Sequence, residues 1–329
     1  MNSFGRIFRV SLWGESHGVQ IGVSLDGVKA GIPLTEADFL PDLDRRRSGA
    51  KGTTPRKEND TPRIVSGAFN GYTTGAPLTV VFENENTMSK DYKGLTTHFR
   101  PSHSDRVAKV KYGGFQDFRG GGHFSGRITL PLVSAGVVAK KILGEEVSIT
   151  SEIIELGGER DSSKFEALVA SAVKSLDSIG GIIECRVRGI ETGFGEPYFD
   201  SVESVMSHLL FSVPAVKGVE FGAGFEAACH KGSENNDVII DGEGKTATNN
   251  EGGINGGITN GNEIVVRVAI KPTASISSEQ MTFNEESGKV EPLVIHGRHD
   301  ACIALRAGVV VEAAVAVALA DLKLSAQLG

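Results

Sequence analysis

Short segments with the alternation of a strand follow one another along this chain, separated by segments with the spacing of a helix. Strands are predicted over residues 4–13, 19–28, 63–69, 77–83, 147–156, 181–190, 216–222 and 262–270. Helices are predicted over residues 35–47, 131–143, 164–176, 199–212 and 307–324. Loops are predicted over residues 48–62, 84–97 and 249–261. The repeated strand–helix–strand order predicts a domain of the α/β or α+β class.

Residue types at the helix ends support several of these boundaries. Thr35 has an acidic residue three positions later, an arrangement that caps a first helical turn. Pro131 suits a first turn because proline lacks the amide hydrogen that would otherwise have no partner there. The most apolar segment, from Ala307 to Leu324, is interrupted by Glu312 and Asp321. It therefore predicts a packed helix rather than a membrane span.

Composition narrows the class of protein. The 42 glycines among 329 residues exceed the usual share of about 7%, and they follow no period, which excludes a collagen-like chain. The net charge of −7 argues against broad binding to nucleic acid. Cys185, Cys229 and Cys302 are isolated, so neither a disulfide framework nor a metal site is predicted. The N-terminus lacks the apolar core of a signal peptide, and we expect a cytoplasmic protein with no membrane contact.

The stretch from Thr97 to Leu132 concentrates the chemistry of the chain. It contains R-P-S-H at 100–103 and R-G-G-G-H-F-S-G-R at 119–127, just ahead of a predicted helix. Glycine lets the backbone adopt positive φ and lets an anion approach bare amide groups. Arginine offers a planar fork of donors for carboxylate or phosphate, and histidine can transfer protons near neutral pH. These residue types together predict an enzyme site that binds an anion and moves protons.

Other polar turns are weaker signals, each with a structural alternative. Gly14-Glu15-Ser16-His17-Gly18 is either a functional turn or an ordinary glycine turn with a capping serine, and it does not fit a hydrolase nucleophile elbow. Arg45, Arg46 and Arg47 end a predicted helix, where the dipole favours cations, although three in a row favour an anionic ligand. Lys271 opens a turn that runs to Ser275. Asp300 follows His296-Gly297-Arg298-His299 and could serve the site or cap the last helix.

Seven motifs in one order closely resemble the chorismate synthase family, over residues 5 to about 322. They are G-E-S-H-G at 14–18, D-L-D-R-R-R at 42–47, R-P-S-H at 100–103, R-G-G-G-x-x-S-G-R at 119–127, A-V-K-G-V-E at 215–220, G-G-I-x-G-G at 252–257 and G-R-H-D at 297–300. The resemblance implies an α+β fold, a single domain over residues 1–329 built as a β-α-β sandwich, and a homotetramer. It also implies a lyase that removes phosphate from 5-enolpyruvylshikimate 3-phosphate (EPSP) in a 1,4-elimination that depends on reduced FMN.

The resemblance assigns roles residue by residue. The implied substrate contacts are Ser16, Arg46, Arg100, Arg127 and Arg298. The implied catalytic residues are His17, which protonates the leaving phosphate, His103, which protonates reduced flavin, and Asp300, which helps the flavin take up the C6 hydrogen. The implied flavin contacts are His123, Phe124, Ser125, Pro214, Ala215, Gly256, Lys271, Pro272, Thr273, Ala274, Ser275 and Arg298. The implied contact with NADPH, a possible reductant, is Arg46, and no metal is implied.

This sequence departs from the family pattern at three places. His123-Phe124 replaces the usual Arg-Ser or Arg-Ala after the triple glycine, so a flavin contact at Phe124 is expected through the backbone alone. An arginine that the family links to NADPH aligns with Gly52. R-P-S-H replaces R-P-G-H, a small change.

Two other classes of protein compete with the enzyme. A non-catalytic binder of flavin or phosphate would use the same glycine loops for affinity alone. A nucleic-acid-binding module would use the arginines at 45–47 and 100–127, but the acidic net charge and the few interleaved aromatic residues argue against it.

Overall fold

The computed structural model describes residues 2–49, 52–53, 59–85, 95–295 and 299–327. Within them the strands are β1 (Ser3–Phe4), β2 (Arg9–Gly14), β3 (Gln20–Asp26), β4 (Arg63–Ser66), β5 (Ala68–Phe69), β6 (Tyr72–Thr73), β7 (Leu78–Glu83), β8 (Ser148–Leu156), β9 (Gly181–Arg188), β10 (Val216–Phe221), β11 (Ile254–Asn255), β12 (Ile258–Thr259), β13 (Ile264–Ile270), β14 (Gln280–Asn284) and β15 (Lys289–Leu293). The α-helices are α1 (Leu40–Arg46), α2 (Asp105–Lys111), α3 (Thr129–Leu143), α4 (Phe165–Lys174), α5 (Val202–Ser212), α6 (Gly232–Asn235) and α7 (Ala304–Ala326).

Two main sheets form the outer layers of the molecule. The first has the strand order β1-β2-β3-β7-β4, and the second has the order β10-β13-β9-β8. Neighbouring strands are antiparallel throughout the described residues. Every second residue of β3 faces the core, and Ile21, Val23 and Leu25 are fully buried. These antiparallel sheets make the fold α+β rather than α/β.

Two long helices fill the space between the sheets. α3 packs against β3 and β7, α7 packs against β8 and β9, and the two helices pack against each other. They approach closely at Gly136, where a Cβ would lie 2.4 Å from the Cβ of Ala313. α7 is apolar on nearly all sides, as expected for a helix with protein all round it. This sandwich of sheet, helices and sheet confirms the predicted fold class.

Buried charges within this sandwich are paired. Glu312 of α7 is fully buried and accepts hydrogen bonds from both terminal nitrogens of Arg45, at 2.7 and 2.6 Å. It also accepts one from the Ser151 hydroxyl at 2.7 Å, and Lys140 lies 3.4 Å away. Arg45 therefore ties α1 to the core, which corrects the expectation that all three consecutive arginines serve a ligand. The guanidinium of Arg45 is used by Glu312.

Most predicted helices and strands are confirmed, with ends shifted by one to three residues. The segment that begins at Thr35 starts with a 3₁₀ turn, Glu36–Phe39, before α1. Its predicted cap is present, because the Thr35 amide donates to Asp38 at 2.6 Å. The helix expected at Pro131 begins two residues earlier, at Thr129. None of the helices in the described part of the chain has the length and apolarity that a bilayer crossing requires.

Three expectations about local structure are wrong. Residues 4–13 form two strands because Asp321, far along the chain, accepts hydrogen bonds from the amides of residues 6–8. The segment 63–69 divides at Gly67, whose φ is +83°. The segment 249–261 is not only loop, since it contains the β11–β12 hairpin. Two elements, α2 and the β14–β15 hairpin, were not predicted. Residues 86–94 of the predicted loop 84–97 lie outside the described residues.

Candidate active site

A cavity of about 1110 Å³ lies where the first turns of α3 and α7 and the last turn of α5 meet several loops. Of the predicted substrate and catalytic residues, those that line it are Arg46, Arg100, Arg127, His103 and Asp300. Of the predicted flavin contacts, those that line it are His123, Phe124, Ser125, Pro214, Ala215, Lys271, Pro272, Thr273, Ala274 and Ser275. Ser16, His17 and Gly256 are not among its lining residues. Arg298 lies outside the described residues.

The triple glycine forms a loop between the two histidines predicted to be catalytic. Gly120, Gly121 and Gly122 have φ values of +59°, +84° and +56°, which other residues adopt only with strain. A Cβ on Gly120 would lie 2.6 Å from His17 Nε2, and one on Gly121 would lie 3.7 Å from His103 Nε2. His17 is buried behind this loop, whereas His103 faces the cavity. The loop at Gly120 thus lies between His17 and the cavity lining, and the roles predicted for the two imidazoles stay predictions.

Ser16 holds the glycine loop in place. Its hydroxyl lies within hydrogen-bond distance of the carbonyl oxygens of Arg119 and Gly120, at 3.2 and 3.1 Å. Its amide donates to the carbonyl of Gly122 at 3.1 Å. The Ser16 side chain is thus engaged with the backbone of the loop, and it is fully buried.

Two buried arginines on one wall share one carboxylate. Arg127 forms an ion pair with Asp60, and Arg46 Nη1 lies 3.8 Å from the other oxygen of that carboxylate. Arg46 also donates from Nε to the Thr129 hydroxyl at 3.0 Å and from Nη2 to the Gly126 carbonyl at 2.8 Å. Burial, followed by the positive charge of Arg306, lowers the pKa of Arg46 to about 9. This wall therefore carries positive charge that its carboxylate does not fully balance.

A second cluster of charges surrounds Asp105. Its carboxylate accepts hydrogen bonds from Arg100 Nε and Nη2, both at 2.7 Å, and pairs with His103 Nδ1 at 2.7 Å. Burial alone would raise the pKa of Asp105, but the bonds from Arg100 and His103 bring it well below its usual range. Burial lowers the pKa of His103, and the bond to Asp105 opposes that effect. The Asp105 carboxylate thus orients the Arg100 guanidinium and the His103 imidazole, whose Nδ1 faces it.

The opposite wall combines the turn 271–275 with the segment after α5. The Lys271 amide donates to the Ala215 carbonyl at 2.9 Å, and its ammonium donates to the Ser102 carbonyl at 2.9 Å. Arg100 Nη1 donates to the Ser275 hydroxyl at 3.0 Å, which joins this turn to the Asp105 cluster. These contacts bring the segments predicted to bind flavin next to the segments predicted to bind substrate.

His123 and Phe124, where this sequence departs from the family pattern, also line the cavity. His123 Nδ1 is 2.7 Å from the Gly14 carbonyl and must donate to it, since that oxygen can only accept. Phe124 is 41% exposed, and its ring lies 6.3 Å from that of Tyr112. His123 therefore fixes the end of β2, and Phe124 presents an apolar face at the cavity.

Several buried polar atoms of residues that line the cavity have no hydrogen-bond partner among the described residues. They are Arg47 Nε, Thr273 Oγ1, His299 Nε2 and Arg306 Nε. Leaving buried polar groups unpaired is costly, so a ligand with both donors and acceptors would fit this space. His299 is kept neutral, since burial and then the charge of Arg100 lower its pKa to about 4. The described residues contain no group of His, Cys, Asp and Glu that could hold a metal ion.

Asp300 is paired with a residue that the sequence analysis did not select. Arg306 Nη2 donates to Asp300 Oδ2 at 2.7 Å. Asp300 does not cap α7, because that helix begins only at Ala304. Gly256 lies in the turn between β11 and β12, outside the cavity lining, and a Cβ there would meet no atom within 4 Å.

Four residues of the site were missed by sequence reasoning. Asp60 and Asp105 pair with the predicted arginines, and Arg306 and His299 line the cavity. Asp105 carried a usable signal, because it stands two residues after His103 at the start of a helix. Nothing in the sequence around Asp60 indicated a role in the site, since only the fold brings Asp60 next to Arg127.

Comparisons with known proteins agree on one family. A sequence model of the family described as chorismate synthase matches residues 8–324. A chorismate synthase of Chitinophaga pinensis is 60% identical over 327 residues, covering 99% of this chain and 98% of that protein. One of Lachnospira eligens is 46% identical over 345 residues, covering 97% of this chain and 94% of that protein.

A solved structure extends the match to three dimensions. The crystal structure of a chorismate synthase superposes with a TM-score of 0.75 at 27% identity, covering 99% of this chain and 94% of that one. Sequence and fold therefore agree over nearly the full length. This chain belongs to the chorismate synthase family, the carbon–oxygen lyases that catalyse the last step of the shikimate pathway.

Proposed function

We propose that this protein converts EPSP into chorismate in a 1,4-elimination that depends on reduced FMN. The C3–O bond to phosphate and the C6–H bond both break, and the ring gains a second double bond without net redox change. The observation that carries the proposal is the cavity. It is lined by Arg46, Arg100 and Arg127, by the His103 imidazole, and by residues with buried polar atoms that no described residue pairs with.

The charge on the cavity wall matches the proposed substrate. EPSP carries two carboxylates and one phosphate, so its site needs several fixed cations. Arg46 and Arg127 share the single carboxylate of Asp60, so this wall carries more positive than negative charge. Each hydrogen bond to a charged group contributes about 1.5–3 kcal/mol. We assign Arg46, Arg100, Arg127 and Arg298 to these anionic groups.

Ser16 is assigned to the same site on indirect support. Its hydroxyl faces the backbone of the glycine loop that separates His17 from the cavity. A substrate oxygen that replaces one of these carbonyl contacts would reach both Ser16 and the loop.

Three residues are assigned to proton and hydrogen movement. His103 would hold the proton delivered near the bound flavin, because Asp105 fixes its Nδ1 and Nε2 lies on the side of Gly121. His17 would protonate the leaving phosphate oxygen, which requires a shift of the loop at Gly120. Asp300, held by Arg306, would help the C6 hydrogen leave.

The residues present fit a bound flavin. When bound, reduced flavin supplies electron density that no side chain can provide. The apolar face of Phe124, the backbone at Pro214-Ala215 and the turn 271–275 would hold its ring and side chain, with Thr273 Oγ1 as a hydrogen-bonding group without a partner. His123 would contact it through Nε2, since Nδ1 is used by Gly14. Gly256 and Arg298 stay assigned by resemblance alone.

We also propose a homotetramer. The accessible surface is 16384 Å², against roughly 13,000 Å² for a folded monomer of 34.7 kDa. Large apolar side chains outside the cavity lining are exposed, among them Phe199 at 91% and Phe225 at 84%. In a tetramer these side chains would be covered. Light scattering that gives the mass of one chain would contradict this.

NADPH is the proposed reductant for bound flavin, with Arg46 as its contact. The Arg46 side chain also bonds to Thr129 and Gly126, and the arginine that the family links to NADPH aligns with Gly52. Oxidation of NADPH by the protein with FMN under anaerobic conditions tests this role. Protein that needs chemically reduced FMN for every turnover would contradict it.

Two further assignments concern the whole chain. We propose that it forms one domain, supported by one continuous hydrophobic cluster that includes residues of both sheets. We propose that it acts in the cytoplasm, where thiols stay reduced, since Cys185 and Cys302 are buried and unpaired.

Phosphate release from EPSP is the test of the reaction. Purified protein is mixed anaerobically with reduced FMN and EPSP, and phosphate and chorismate are measured over time. We expect equal amounts of both products. Well-folded protein that binds FMN but releases no phosphate would instead support a non-catalytic binder, and strongly salt-dependent binding to oligonucleotides would support a nucleic-acid module.

A further inference from the structure

Arg306 stands out among the lining residues because its guanidinium is only partly used. Nη2 donates to Asp300, but Nε is buried and has no hydrogen-bond partner within the described part of the chain. The side chain as a whole is 21% exposed and lines the cavity. A guanidinium presents a fork of donors, so a buried Nε without an acceptor indicates space that an acceptor can occupy.

The position of Arg306 in its helix works against stability. α7 begins at Ala304, so Arg306 lies in the first turn, which contains no acidic residue. The amino end of a helix carries partial positive charge, so a cation there is unfavourable. Packing does not require the charge either, since Arg306 faces a cavity rather than a filled core. This combination indicates a functional reason for a cation at this place.

Arg306 also adds its charge to that of Arg46. Both side chains line the same cavity, and the charge of Arg306 is the strongest electrostatic influence that lowers the pKa of Arg46. Arg46 has its Nε and Nη2 fixed by Thr129 and Gly126, which leaves Nη1 with Asp60 at 3.8 Å. Both guanidinium groups therefore line one cavity with donors that the described protein groups do not fully use, and together they offer charge for one anionic group.

We propose that Arg306 is a further anion-binding residue of this cavity, and that Arg306 and Arg46 together hold one negatively charged group of the substrate. The inference rests on the proposed function, because it takes EPSP as the ligand. Asp300 competes for the guanidinium of Arg306 in the absence of substrate. When the anion binds, it takes the place at Nε that the protein leaves unfilled.

Calorimetric titration of EPSP into flavin-free protein tests this inference without turnover. Arg306→Gln is expected to weaken EPSP binding about tenfold or more, because a charged hydrogen bond is lost. Arg306→Lys keeps the charge but loses the fork, and we expect an intermediate loss. Asp300→Asn removes the competing carboxylate and is expected to bind EPSP at least as tightly as the wild type. Arg160→Gln, at a side chain that is 82% exposed and pairs with Glu155, is the control with unchanged affinity.

The outcomes separate the inference from the function. Wild-type affinity in Arg306→Gln, while the wild type binds EPSP, would overturn the inference and leave the proposed function standing. Loss of affinity in Asp300→Asn as large as in Arg306→Gln would also overturn it, since Arg306 would then act only by placing Asp300. A wild type that binds no EPSP would contradict the proposed function itself. If circular dichroism shows that Arg306→Gln does not fold, Arg306→Lys is used instead. Unchanged EPSP affinity in Arg306→Lys would then overturn the inference.

Discussion

Replacing Asp105 with asparagine would change the charge beside His103 while nearly preserving shape. The carboxylate is 8% exposed and pairs with His103 Nδ1 and Arg100 at 2.7 Å. In the variant the charge of Arg100 would act on the imidazole without a counter-charge between them. A charge-assisted hydrogen bond of this kind contributes about 1.5–3 kcal/mol. We expect the protonated form of His103 to lose about that much stability, so its pKa falls further below its usual range.

Histidine NMR titration of the apo protein measures this directly, and the pH profile of phosphate release measures its consequence. We expect the protonated fraction of His103 at a given pH to fall about tenfold or more, since 1.36 kcal/mol corresponds to a factor of ten. The pH optimum of turnover should move to lower pH, because the proposed role of His103 needs its proton. Asp26→Asn is the control, at a carboxylate 58% exposed and 3.9 Å from Arg9. Titration of His103 at the same or a higher pH in Asp105→Asn would refute the reasoning.

Three other predictions concern the histidines and the glycine loop. His17→Ala and His103→Ala should fold normally and release phosphate at least about 10²-fold more slowly, and wild-type rates in either would refute its role. Gly120→Ala should lose comparable activity, because its Cβ would lie 2.6 Å from His17 and Ser16 at a φ of +59°, whereas Gly232→Ala, at an open position, should not. The free energy of unfolding should decrease as pH falls from 6.5 to about 4, because unfolded His299 takes up a proton that the folded form refuses. That decrease is about 3 kcal/mol at most. Urea unfolding at both pH values should show a smaller decrease in His299→Gln than in the wild type. An equal decrease in the two proteins would contradict the role given to His299.

Much of the scaffold could be predicted from local pattern. α3 and α7 were predicted from apolar spacing, and the cap at Thr35 was predicted from two residues. The break between β1 and β2 could not be predicted, because it depends on Asp321, more than 300 residues away. Local alternation shows which residues favour a strand, but it does not show which amides a distant carboxylate occupies.

The site was only partly predictable. Arg46, Arg100 and Arg127 follow from the motifs, yet their counter-ions do not, because Asp60 is 67 residues from Arg127 in sequence. The motifs also could not show that Gly120 separates His17 from the cavity, which depends on how two turns pack. Arg306 stands just before the predicted helix 307–324 and was not selected as a site residue, although the helix begins at Ala304. Pairing between distant polar groups is the part of the site that a single sequence leaves undetermined.

A crystal structure of the protein soaked with FMN and EPSP tests the central claim most directly. The claim is that Arg46, Arg100, Arg127, His103 and Asp300 share one cavity that holds both molecules. The account predicts EPSP with its anionic groups on these arginines and the flavin ring against the turn 271–275. Density for either molecule at another surface, with this cavity filled only by solvent, would contradict it.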